Sequence, residues 1–132
     1  MVSRPSSAPN CGGVVFCGKH SKKDSRRIWR AEPGGDLRQL NQEPGFETFP
    51  AFSPDGKWIA YRWAPSRKRL GESELRVAPA AGGKQRTVTR HASFRHSRRR
   101  IRWSPDGRYI VFYALADVFL LPSELESFGL SA

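Results

Sequence analysis

Phe52-Ser-Pro-Asp-Gly-Lys-Trp-Ile-Ala-Tyr61 returns almost letter for letter as Trp103-Ser-Pro-Asp-Gly-Arg-Tyr-Ile-Val-Phe112, at a constant offset of 51 residues. A self-copy with a period of about 40–50 residues is the signature of a repeat architecture. Within each copy, Ser-Pro-Asp-Gly supplies what a type I turn asks for. Proline pre-sets φ at the second position, aspartate is tolerated at the third, and glycine takes the place where φ turns positive. Short β-prone runs flank both turns, residues 49–52 and 57–61 around the first, 101–103 and 108–112 around the second. Each copy therefore reads as a β-hairpin.

The pattern extends outward in both directions. Forty-five residues upstream, Ala8-Pro-Asn-Cys11 overlies the first turn and Val14-Val-Phe16 overlies Ile59-Ala-Tyr61. Asn10 suits a turn, whereas Cys11 is a poor substitute for glycine, so this copy is decayed. Two further strands follow each complete hairpin. Ile28–Ala31, a Glu32-Pro-Gly-Gly35 turn and Leu37–Leu40 form one such pair; Leu75–Ala78, Pro79–Gly83 and Arg86–Thr89 form the other. Four short antiparallel strands per repeat of this length make a β-propeller blade. The expectation is an all-β chain of two to three four-stranded antiparallel propeller-type blades in an incomplete ring. A decayed first blade spans 1–45, a second 46–93 and a partial third 94–122. On this reading Ser53, Pro54, Asp55 and Gly56, like Ser104, Pro105, Asp106 and Gly107, are structural turn residues. Trp58, Trp63 and Trp103 are expected to pack between blades.

The motif Pro-x-(Phe/Trp)-Ser-Pro-Asp-Gly-(Lys/Arg)-x-Ile-Ala-(Phe/Tyr) resembles the WD-repeat-like propeller repeat of the TolB family, over residues 8–112. The same repeat occurs in the propellers of prolyl-oligopeptidase-like peptidases. The TolB resemblance implies six blades forming a non-enzymatic platform that binds other proteins, and a periplasmic location for a full-length relative. The peptidase resemblance implies a propeller that gates a separate hydrolase domain. This chain shows too few turns for six blades. It is therefore expected to be a truncated propeller fragment, or to pair with another chain through its open strand edges.

Residues 113–132 admit two readings. In the first, Val118-Phe-Leu-Leu-Pro122 continues the last blade, at the place that Leu75–Pro79 holds in the blade before. In the second, Ala116–Ala132 resembles a segment of retaining glycosyltransferases with two Rossmann domains (GT-B type). There Asp117–Pro122 would be a buried strand and a short helix would start near the C-terminus. Glu126, Ser127, Phe128 and Gly129 would then face the phosphates of a nucleotide-sugar donor. The charge distribution sets this tail apart: residues 1–112 carry +14 and the last twenty carry −3.

The net charge of +11 points to anionic partners or a solvated basic surface. Arg95–Arg102 is the most basic run, and through Arg98, Arg99 and Arg100 it makes nucleic acid a candidate partner. Ser66-Arg-Lys-Arg69 is a second basic loop. No run of the sequence approaches the ~18 apolar residues of a membrane span, and the first twenty residues lack the apolar stretch of an export signal. Cys11, Cys17, His20, His91 and His96 fit no zinc spacing, so no metal and no cofactor are expected, and the cysteines read as reduced, partly buried thiols. The functional expectation is a non-catalytic protein-interaction scaffold with a protein partner. A glycosyltransferase remnant and a basic nucleic-acid-binding module are the alternatives.

Overall fold

The computed structural model describes residues 6–7, 13–19, 25–41, 43–90, 101–113 and 118–122. Among these the structure is built from β-strands, with one 3₁₀ turn at Leu70–Glu72. The first sheet holds β1 (Ser6–Ser7), β2 (Val14–Gly18), β3 (Arg27–Ala31) and β4 (Leu37–Gln39). The second holds β5 (Phe46–Phe52), β6 (Trp58–Ala64), β7 (Glu74–Pro79) and β8 (Arg86–Arg90). The third holds β9 (Arg102–Trp103), β10 (Tyr109–Tyr113) and β11 (Val118–Pro122). Every sheet is an antiparallel meander in chain order, the topology of propeller blades. The ring is not closed.

The middle blade explains why the repeat is so apolar. Successive side chains of a strand point to opposite faces, and β6 is buried on both. Ile59 and Tyr61 pack with Val15, Cys17, Ile28 and Leu40 of the first blade. Trp58 and Ala60 turn the other way, to meet Ile101 and Ile110 of the third. In β7, Ala78 faces the first core while Leu75 and Val77 face the second. Burying each large aliphatic or aromatic side chain contributes roughly 1.5–3 kcal/mol. The two interblade cores are therefore the main cohesive element. Trp58 and Trp103 belong to the second core and Trp63 lies against the first, the interblade packing expected of them.

Strand β5 departs from the plain run expected over residues 49–52. Its register on β6 slips between Thr48 and Ala51, a β-bulge. Phe49 takes a left-handed φ of 57° there, a costly conformation for a bulky residue. The bulge lets Phe49 pack with the second core while Phe52 still reaches the first.

The tail reading is corrected at its strand. β11 runs antiparallel along the whole of β10, from Tyr109↔Pro122 to Tyr113↔Val118. That is the third strand of a blade, whereas the strands of a Rossmann domain lie in a mostly parallel sheet. The glycosyltransferase resemblance is thus not supported. Glu126, Ser127, Phe128 and Gly129 lie outside the described residues.

Candidate interaction surface

The two Ser-Pro-Asp-Gly turns have the same geometry. In the first, Ser53 Oγ donates to Asp55 Oδ1 at 2.5 Å and accepts from Trp58 N at 3.0 Å. Asp55 Oδ1 also accepts from Lys57 N at 2.9 Å. In the second, Ser104 Oγ bonds Asp106 Oδ1 at 2.6 Å and Tyr109 N at 2.9 Å, and Arg108 N reaches Asp106 Oδ1 at 3.0 Å. Gly56 and Gly107 close the turns at φ 74° and 75°, where any other residue except asparagine or aspartate is disfavoured. Partial burial pulls the Asp55 carboxyl upward, but the Ser53 hydroxyl and the Lys57 N–H outweigh it and hold it below the usual value. The Ser104 hydroxyl and the Arg108 N–H hold Asp106 low in the same way. These serines and aspartates are engaged in closing their own hairpins, with Pro54 and Pro105 at the second turn position.

Antiparallel topology sorts the connections to two ends of the blades. The Ser-Pro-Asp-Gly turns share one end with the β3–β4 and β7–β8 turns, and Ala80 N donates to Lys57 O across that end at 2.8 Å. Its exposed charges are mixed: Asp36, Asp55, Lys57, Lys84, Asp106 and Arg108. The opposite end carries the β2–β3, β4–β5 and β6–β7 connections, where Lys19, Arg67, Lys68 and Arg69 are exposed together with the acids Glu43 and Glu72. Arg69 is held there by Glu72, with Nη2 to Oε1 at 2.6 Å. The connection carrying Arg98, Arg99 and Arg100 joins β8 to β9 and lies outside the described residues. Ser66-Arg-Lys-Arg69 is thus placed on a basic end, as a surface loop.

Sequence reasoning missed a buried polar lock between the first two blades. Glu47 is fully buried, yet its carboxylate accepts from Ile28 N at 2.9 Å and from Asn41 Nδ2 at 2.9 Å. Arg27 Nε lies 3.5 Å from Glu47 Oε1, and its guanidinium also donates to Gly45 O at 2.9 Å and Asn41 Oδ1 at 3.0 Å. Cys17 donates its thiol hydrogen to Glu47 O at 3.2 Å; it is a thiol, as expected, but fully rather than partly buried. Cys11 lies outside the described residues. Burial drives the Glu47 carboxyl above its ordinary range against the lowering pull of Ile28 N–H, Arg27 and Asn41. The same desolvation, reinforced by the Glu47 charge, raises the Tyr61 phenol.

Two further arginines are used structurally. Arg62 donates Nε to Thr48 Oγ1 at 2.8 Å and lies 4.7 Å from the Phe49 ring centre, and burial lowers its guanidinium to about 10. Arg76 stacks 3.8 Å from the Trp63 ring centre between Glu43 and Glu74. A shallow depression of about 540 Å³ opens beside them, lined by Asn41, Glu43, Pro44 and Gln85 among others. Among the described residues no group of three or more His, Cys, Asp or Glu side chains could hold a metal ion, and no helix is long and apolar enough to cross a membrane.

No family model matches the chain. Dipeptidyl-peptidase 5 of Porphyromonas gingivalis is 40% identical over 73 residues, 53% of this chain and 10% of that protein. The Tol-Pal system protein TolB of Nitratidesulfovibrio vulgaris is 39% identical over 44 residues, 33% of this chain and 10% of the relative. The chain thus spans about a tenth of the length of the curated relatives it matches. The solved structure of a protein described as putative TolB from Agrobacterium tumefaciens superposes with a TM-score of 0.73 at 20% identity, covering 93% of this chain and 46% of that one. These likenesses converge on the fold already built from the residues: the chain has the blades of a TolB-like β-propeller.

Proposed function

We propose that this chain is a non-catalytic propeller segment that binds other proteins, with the basic end of its blades as the contact surface for an acidic partner. The carrying observation is the contrast between the two ends. Ser53, Asp55, Ser104 and Asp106, the residues most reminiscent of acid–base chemistry, are spent on turn closure. On the opposite end Lys19, Arg67, Lys68 and Arg69 are exposed and outnumber the exposed acids Glu43 and Glu72. Exposed charge of one sign steers association and selects partners of the other sign. The resemblance to TolB propellers favours the same role. The test is titration of the chain against sets of acidic, neutral and basic peptides, with a parallel assay of turnover on fluorogenic dipeptide substrates. Saturable binding confined to acidic peptides and weakened at least fivefold in Arg67→Glu/Lys68→Glu is expected. Dipeptide turnover that disappears in Asp55→Asn or Glu47→Gln would overturn the non-catalytic reading.

One observation favours a second reading, a nucleic-acid contact. The connection with Arg98, Arg99 and Arg100 departs from Arg90 at the end that also carries Arg67 and Lys68. If duplex DNA or RNA is the ligand, its affinity falls steeply with salt as phosphate counterions are released. Replacing the three arginines by alanine then flattens that salt dependence.

A further inference from the structure

The outer strand of the middle blade presents an edge that is flanked on both sides by blades of this same chain. Among the described residues β8 pairs with β7 alone, at the end of the sheet order. The first and third blades cover the two faces of its sheet. A fourth strand lies on the rim of a radial stack, so further blades on either flank leave this edge as it is. Such an edge offers a row of N–H and C=O groups for pairing. β8 spans five residues without glycine or proline, and Thr87-Val-Thr89 at its centre is β-branched. The outer strand of the first blade, β4, has only three residues. The register of β8 on β7 slips between Leu75 and Arg76, which makes Val88 the extra residue, packed against the second core. Arg86, Thr87 and Arg90 remain exposed.

Charge selects what can pair there. Between Glu74 and Asp106 the sequence holds nine Lys or Arg and no acid, and Lys84, Arg86 and Arg90 of that stretch stand exposed along the rim. A second β8 in antiparallel register about Val88 sets Arg86 opposite Arg90, and like charges directly opposite are destabilising. The terminal arginines and the slip thus keep the edge from pairing with its own kind. A strand that brings carboxylates turns the same arginines into favourable cross-strand pairs. Nucleic-acid phosphates meet the charge but only accept hydrogen bonds, whereas a peptide answers both the N–H and the C=O groups of the edge. We infer that an acidic segment of another protein adds to β8 as an extended strand, a mode of recognition in which main-chain bonds hold the partner and side chains select it. β8 runs from the end with the Ser-Pro-Asp-Gly turns to the basic end, so the added strand leads toward the loop of Arg67 and Lys68. Such docking rests on the acidic-partner reading and gives that partner its conformation.

The experiment follows amide hydrogen exchange in the isotope-labelled full chain, with a soluble peptide of alternating glutamate and valine as the probe. At a free peptide concentration about ten times Kd, the β8 amides turned away from β7 are expected to exchange roughly tenfold more slowly. A peptide of the same sequence with an N-methylated backbone keeps its charge and loses its donors, and is expected to bind about tenfold more weakly. Arg86→Glu/Arg90→Glu, at exposed positions, is expected to weaken binding about fivefold with unchanged far-ultraviolet circular dichroism. Peptide binding that leaves the β8 amides unprotected, or that is indifferent to N-methylation or to the arginine substitutions, contradicts the strand docking while the acidic-partner reading stands. Duplex DNA that protects those amides where the peptide does not contradicts it as well. A chain that binds no acidic peptide at all would overturn both.

Discussion

Replacing Glu47 by alanine tests the interblade lock most severely. The carboxylate is fully buried and accepts two hydrogen bonds, one from the backbone of the first blade at Ile28 and one from Asn41. Alanine leaves the Ile28 N–H without that acceptor in a dry core, a loss of about 1–3 kcal/mol. It also removes the anion facing Arg27, and breaking a buried ion pair by deleting one partner costs about 3–5 kcal/mol in general. Arg27 keeps Gly45 O and Asn41 Oδ1 as acceptors, so the lower half of that range applies, and because both losses come from one carboxylate they do not add; about 3–4 kcal/mol in all is expected. Urea unfolding followed by tryptophan emission reads this as a lower midpoint at unchanged slope. Glu43→Ala is the control: its bridge to Arg76, at 3.3 Å, involves a half-exposed carboxylate, and such pairs contribute about 0–1 kcal/mol. A Glu47→Ala loss no larger than that of Glu43→Ala would refute the reasoning.

Because burial raises the Glu47 carboxyl in the folded state, there is a pH window, between the unfolded value and the raised folded one, in which the native chain holds a proton that the unfolded chain has released; above it the carboxylate faces Arg27 as an anion. The proton's contribution is fully present below the unfolded value and is lost as pH rises toward the folded one, so Glu47→Gln should flatten that part of the urea-midpoint-versus-pH curve. Asp55 runs the other way. Its lowered carboxyl stabilises the fold above the ordinary, unfolded value of 3.8, and that support disappears as pH falls through the folded value, which carboxyl-carbon NMR titration follows directly. Gly107→Ala should cost about 1–2 kcal/mol, because φ is 75° there while an added Cβ would meet Pro54 only at an ordinary 3.9 Å. Gly107→Asn should recover most of that loss in the same urea assay. Ile59→Ala, at a fully buried position of the first core, should cost about 2–5 kcal/mol.

What was legible in the sequence was whatever is encoded locally. Ser-Pro-Asp-Gly carries its own φ preferences and its own side-chain acceptors, so both hairpins follow from ten residues each. The interblade role of Trp103 agrees with the repeat, because it stands at the place of Phe52, which packs in the first core as Trp103 packs against the second. The Glu47 lock was not legible, since Gly45-Phe-Glu-Thr48 looks like any polar lead into a strand. Its partners Ile28 and Asn41 come from the preceding blade and its linker. Nor does the sequence announce the bulge at Phe49, whose positive φ is stabilised by a core and an arginine distant along the chain. The tail shows the opposite hazard. A resemblance over some seventeen residues pointed to another fold, but pairing along the full length of β10 places Val118–Pro122 in the blade series.

The central claim is that three blades stack in chain order through two equivalent cores. Side-chain nuclear Overhauser effects in the isotope-labelled chain test it most directly. The account predicts contacts from Val15 and Ile28 to Ile59 and Tyr61, and a separate set from Ile110 to Trp58, Leu75 and Val77. Contacts joining Val15 or Ile28 to Ile110, or Ile59 to Ile110, would merge the two cores and contradict it.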